Sequence, residues 1–127
     1  MKTSKYFGIT YKLGSNAKEN WDLLSYASEE NPQWIWFHLD DYSSPYVIME
    51  CSLSELESKI RENVNFPSIM LFKYYGGMIC QTNSNKQYRN IKRIKILWTE
   101  VKNVSRGHIT GEADINGIHN VFRLKNI

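Results

Sequence analysis

One stretch dominates what this chain can fold into. From Trp34 to Met49 the sequence runs W-I-W-F-H-L-D-D-Y-S-S-P-Y-V-I-M, its longest apolar and aromatic passage, broken in the middle by polar residues. Trp34 to Leu39 and Tyr46 to Cys51 are rich in β-branched and aromatic residues, and the Asp40 to Pro45 segment carries turn chemistry. The pattern predicts a β-hairpin. Alternation puts Trp34, Trp36 and His38 on one face and Ile35, Phe37 and Leu39 on the other. Both faces are apolar, so the strand is expected to be covered on both sides and central in its sheet. His38, at the strand's exit beside Asp40, Asp41, Ser43 and Ser44, marks the place where core gives way to a candidate site.

A chain of 127 residues is read as a single domain, 1–127, with enough apolar side chains for a core that needs no disulfide or metal. Its two cysteines, Cys51 and Cys80, have no partner at zinc-ligand or redox spacing and are expected as buried free thiols. No apolar run approaches the ~20 residues that span a bilayer, and no apolar signal core follows Met1. The expected location is therefore the cytoplasm, with no membrane partner.

Along the chain, Lys5 to Leu13 reads as a strand ending at Gly14, and Ala17 to Ala27 as a short helix with Glu19 and Asp22 early. Ser28 to Gln33 reads as a loop. Ser52 to Asn65 carries a capping box, Ser52-Leu53-Ser54-Glu55, and an apolar stripe of Leu53, Leu56, Ile60 and Val64. Ile69 to Thr82 reads as a more buried helix, with Ile69, Phe72, Met78 and Ile79 inward. Gly76-Gly77 implies either a break in it or close packing of another element. Asn83 to Asn90 is a polar loop, Ile91 to Thr99 a strand, and Glu100 to Gly107 a turn. Asn116-Gly117 predicts a terminal hairpin between Ile109–Ile115 and Ile118–Leu124. The expected order is β-α-β-β-α-α-β-β-β, an α+β fold with a mainly antiparallel sheet and about three helices.

No nucleophile elbow, phosphate-cradling glycine loop or His-Glu-x-x-His motif is present. His38 with Asp40 or Asp41 is the one place for acid-base or metal chemistry, but no second His lies at ligand spacing. The expectation is no catalytic residue, no metal and no cofactor. Charge gives a stronger lead. Between residues 86 and 106 seven basic residues face one acid, Glu100, whereas the remainder carries nine basic and twelve acidic residues. That asymmetry is the electrostatic footprint of a polyanion binder. Phosphates want Lys and Arg along a backbone path, and unpaired bases want aromatic planes. Lys86, Tyr88, Arg89, Lys92, Arg93, Lys95, Lys102 and Arg106 together fit nucleic acid, with RNA preferred and DNA open; Tyr74 and Tyr75 are further aromatic candidates. The plainer reading is a lysine-bearing strand edge that resists aggregation.

The order Gly14-x-Asn16-Ala17-x-Glu19-Asn20-x-x-Leu23-Leu24, then Ile35-Trp36-Phe37-His38-Leu39, then Ser43-Ser44-Pro45-Tyr46-Val47-Ile48 resembles the NFACT-R family. Asn83-Ser84, Ile94 to Thr99, Asn103-Val104 and Gly111 follow in the family's order, so the resemblance covers nearly the whole chain. It implies a non-enzymatic RNA-binding module related to tRNA-engaging and ribosome-associated quality-control factors, with Asn16, Glu19, Asn20, Trp36, Phe37, His38, Ser43 and Ser44 as motif residues. Trp34 stands where the family tends to place an acid, Tyr46 where it places a His, and Ser105 where it often has a second basic residue. The alternative function is a protein-interaction module that docks on a ribosome or another assembly.

Overall fold

The computed structural model describes residues 1–125. Eight strands and three α-helices follow in the order β1 (Lys2–Tyr6), β2 (Ile9–Leu13), α1 (Ala17–Glu30), β3 (Trp34–Leu39), β4 (Val47–Ser52), α2 (Leu53–Glu62), α3 (Ile69–Thr82), β5 (Lys95–Glu100), β6 (Val104–Arg106), β7 (Ala113–Ile115) and β8 (Asn120–Arg123). A six-stranded sheet has the order β1-β2-β4-β3-β5-β8, every pair antiparallel. β6 and β7 form a separate two-stranded sheet. The fold is α+β, as the sequence indicates, and the aromatic hairpin occupies the centre of the large sheet.

Alternation along β3 divides the interior into two cores. Ile35, Phe37 and Leu39 pack with Val47, Met49, Leu56, Phe72 and Ile79, on the side covered by α2 and α3. Trp36 packs with Tyr46, Ile48, Leu23, Leu24 and Ala27, on the side covered by α1. Caps set the helix starts. Asn16, Ser52 and Ser68 each place a side-chain oxygen against the backbone N–H three residues on. The Gly76-Gly77 pair does not break α3; it lets the helix sit against the sheet. A Cβ at Gly76 would fall 2.7 Å from the Phe37 ring, and one at Gly77 would fall 2.8 Å from Ile96.

Five local expectations are corrected. The first strand is a hairpin: Phe7 and Gly8 both take positive φ, 48° and 79°, and turn β1 onto β2 as a two-residue loop. Helix α1 runs on through Glu30, taking in part of the expected loop. Helix α2 stops at Glu62, so Val64 lies outside the stripe and is 95% exposed. Met78 faces solvent rather than the core, its inward place in α3 taken by Gly76, Gly77 and Cys80. The terminal hairpin does not form. Asn116-Gly117, with Gly117 at φ 98°, is where the chain leaves one sheet for the other: β7 pairs with β6 and β8 pairs with β5. Tyr74 and Tyr75 are taken up in packing, Tyr74 edge-on to Phe122 and Tyr75 stacked on Tyr6. None of the described helices is long and apolar enough to cross a membrane.

Candidate nucleic-acid interface

At the Leu39 end of β3 two grooves lie side by side, sharing the loop Asp40-Asp41-Tyr42. The larger, about 630 Å³, reaches from the start of α1 past Trp36 and His38 to Asn83 and Asn85, with Gly111 and Ala113 closing another wall. The smaller, about 170 Å³, runs along Lys92, Arg93, Lys95 and Arg123.

Most of the motif residues line the large groove, and several of them spend their polar groups on building it. Asn16 caps α1, its Oδ1 accepting from Glu19 N at 2.9 Å, and Glu19 returns to accept from Ser15 N at 2.9 Å. That bond, and then the N-terminal ammonium 3.3 Å away, lowers the Glu19 carboxyl below its ordinary pKa. Asn20 is buried and bridges to the strand β4 entry, accepting from Tyr46 N at 2.9 Å while its amide donates toward Ser44 O at 3.4 Å. Gly14 is required beside it, since a Cβ there would fall 2.1 Å from Asn20 Oδ1. Phe37 is fully buried under α3. Ser44 Oγ accepts from Leu39 N at 3.0 Å and donates to Pro45 O at 3.2 Å, closing the hairpin end. Tyr46, which stands where the family resemblance expects a His, sends its hydroxyl to Gly111 O at 2.7 Å and ties the far wall of the groove to the sheet. Burial pushes that phenol up to about 12.

Three side chains that line the groove keep an uncommitted polar atom. His38 stacks on Trp36, ring centroids 5.5 Å apart, and its Nδ1 lies 2.6 Å from Leu39 O. A carbonyl only accepts, so Nδ1 carries the proton and Nε2 is left as an acceptor. Burial holds the imidazole below its ordinary pKa, against the weaker opposing pulls of the Leu39 carbonyl, Asp40 and the Ser44 backbone, which favours the neutral ring. Ser43 is exposed on the rim and makes no hydrogen bond among the described residues. Trp36 is 1% exposed and its Nε1 has no hydrogen-bond partner among the described residues. An orphaned buried donor costs about 1–3 kcal/mol, and this is the one buried side-chain polar atom without a partner among the described residues.

The basic residues divide between places. Lys86, Tyr88 and Arg89 belong to a 3-10 turn and its end, where Arg89 Nε donates to Ser84 O at 2.8 Å and Gln81 donates to the carbonyls of Tyr88 and Ile91. The Tyr88 ring lies 4.8 Å from that of Tyr42. Lys92 and Arg93 precede the strand, contrary to the expected start at Ile91, with Arg93 at φ 54°. Lys95 opens β5 and sits directly across from Arg123, which donates to Arg93 O at 3.0 Å. Asp41, on the shared loop, also has a positive φ of 70°. Lys102 and Arg106 lie elsewhere: Lys102 is past the far end of β5, 3.8 Å from Glu100, and Arg106 sits over α1 on the Trp21 ring with a 2.7 Å bond to Ser25. The sequence window misses Arg123 and Tyr42. Register between β5 and β8 supplies the first, and contact of two loops supplies the second; neither leaves a local signal.

Like charges directly opposite on neighbouring strands destabilise a sheet unless something neutralises them. The ion pairs among the described residues join Met1 to Glu19, Lys12 to Glu50, Lys18 to Asp22 and Lys102 to Glu100. Lys86, Arg89, Lys92, Lys95 and Arg123 are in none of them. No group of His, Cys, Asp and Glu suited to holding a metal ion occurs among the described residues. Both cysteines are free and buried, as expected, and burial raises the Cys80 thiol to about 12 and the Cys51 thiol to about 11.

Fold and site together define an α+β domain with a basic, polar-grooved surface at one end of its central sheet. A scan against family models and a search of curated proteins each return no match. Among solved structures, the chain is similar to the C-terminal part of the fibronectin/fibrinogen-binding protein from Streptococcus suis, with a TM-score of 0.72 and 17% identity. The match covers 98% of this chain and 44% of that one, so the shared fold spans less than half of the solved chain.

Proposed function

We propose that the chain is a non-enzymatic nucleic-acid-binding module whose preferred ligand is RNA of the tRNA or ribosome-associated kind. The observation that carries this is the set of cations Lys86, Arg89, Lys92, Lys95 and Arg123, none of them in an ion pair among the described residues; Lys92, Lys95 and Arg123 line one groove, with Lys95 and Arg123 facing each other across a strand pair beside the Tyr42–Tyr88 rings. Phosphates would relieve that repulsion and the rings offer a plane to an unpaired base. The NFACT-R resemblance supports the choice of RNA. The likeness to the streptococcal protein supports the fold on which the surface is built.

A protein-docking module is the second possibility. It is favoured by β8, the last strand of the large sheet, where Val121 and, just before the strand, Ile118 are exposed, and by the protein ligands named for the streptococcal neighbour. Fluorescence anisotropy with labelled tRNA, single-stranded RNA and duplex DNA across a salt series separates the two. Tight, salt-sensitive RNA binding that falls by about tenfold or more in Lys92→Glu/Lys95→Glu is expected. Absence of binding to all three at low salt would overturn the nucleic-acid reading.

A further inference from the structure

We propose that the larger groove is a seat for one unpaired nucleobase of an RNA strand, with His38 Nε2 accepting a hydrogen bond from the base edge and Tyr42 stacking the base next to it. This rests on the RNA reading above and deepens it. The groove holds about 630 Å³, within the roughly 300–1,000 Å³ typical of sites for small ligands. The basic row alone needs no such cavity.

Position supports the assignment. The loop Asp40-Asp41-Tyr42 forms a wall of both the large groove and the cationic one. A strand whose phosphates follow Lys92, Lys95 and Arg123 therefore runs directly beside the large groove. Tyr42 stands on the divide, 38% exposed, backed by the Tyr88 ring. A ring held by a second aromatic, tilted 36° to it, and still partly exposed is what a stacking platform needs.

The chemistry of the interior is that of a site which reads an edge. His38 has committed Nδ1 to Leu39 O and keeps Nε2 as an acceptor, and its ring lies parallel to Trp36, 8° between planes. Trp36 lines the groove and carries the one buried side-chain donor without a partner among the described residues. Asp40 and Asp41 add carboxylates on the wall that the two grooves share, which accept from amino groups. His38 Nε2 and these carboxylates accept, so a base edge that donates, such as the amino edge of adenine, guanine or cytosine, is favoured. The start of α1 does not compete as an anion site, because Asn16 Oδ1 takes the Glu19 N–H and the Glu19 carboxylate, bonded to Ser15 N, already sets a negative charge there.

The test uses the full chain and three probes: an adenosine decamer, the same decamer with every base removed, and adenosine monophosphate. The intact decamer is expected to bind about tenfold more tightly than the abasic one, the loss expected when base stacking is removed. Ser43→Trp, a change at an exposed rim position that fills the groove, is expected to bring the two affinities together. Tyr42→Ala provides a second variant and is expected to narrow the gap. Equal binding of intact and abasic decamers by the native protein would overturn the nucleobase seat while leaving the phosphate-binding function standing. Failure of both decamers to bind at low salt would overturn both. Monophosphate binding as tight as that of the decamer would assign the groove to a free nucleotide and overturn the strand-borne base.

Discussion

His38 shows how a single residue couples folding to the site. The imidazole lies between Trp36 and Tyr46, ring centroids 5.5 and 5.8 Å away, and burial favours its neutral form. Its folded pKa is thus depressed below the ordinary 6.5. The unfolded chain takes up a proton near that value while the folded chain resists it, so His38 adds stability above pH 6.5 that is lost as the pH falls toward the folded pKa. Urea unfolding at about pH 7.5 and 5.5 is expected to show a lower midpoint at the acid pH, and His38→Gln is expected to reduce that difference. An equal acid shift in the variant would mean another group is responsible. Sequence reading singled out His38 correctly as a residue at the edge of the core. It could not tell that Asn16, Glu19, Asn20 and Ser44 are spent on caps and backbone bridges, since a polar residue near a turn looks the same whether it serves the fold or faces a ligand.

At the level of elements, the legible features were those with local causes. The capping Ser52, the limits of α3 at Ile69 and Thr82 and the two-faced apolar pattern of β3 all follow from neighbours within a few residues. The Phe7-Gly8 turn escaped because phenylalanine is a poor turn residue; here edge contacts of its ring with Tyr6 and Phe66, at 5.0 and 6.1 Å, accompany the left-handed backbone. Asn116-Gly117 offered the right turn chemistry but could not reveal that its two flanking strands pair with different partners. The seam between α3 and the sheet allows a direct check. Gly76→Ala adds a methyl that three atoms of the buried Phe37 ring would meet at 2.7–2.9 Å. Overpacking of this kind costs about 1–3 kcal/mol, against a gain in helix propensity of about 1 kcal/mol. Chemical denaturation is expected to show net destabilisation, and a variant as stable as the parent would mean that α3 does not pack on β3 as described.

For the molecule as a whole, the question is whether its field acts as a patch or as a diffuse charge. Composition shows a basic window between residues 86 and 106, but not how the fold distributes it. Folding sets Lys92 and Lys95 in one groove with Arg123 at the start of β5, keeps Lys86 and Arg89 in the turn before it, and sends Lys102 past the other end and Arg106 onto α1. A strand of six residues, Lys95 to Glu100, separates the two ends by roughly 17 Å at about 3.3 Å per residue, beyond the ~8 Å screening length of physiological salt. A single-stranded RNA that neutralised all five clustered cations would give log K against log salt a slope of about −3 to −4, near 0.7 per phosphate. Reversing Lys86 and Lys92 to Glu is expected to flatten the slope by about 1.4 or more, whereas reversing Lys102 and Arg106 is expected to leave it nearly unchanged. If both pairs flattened it equally, binding would follow net charge rather than the surface around Tyr42, and the localised contact proposed for that end of the sheet would fail.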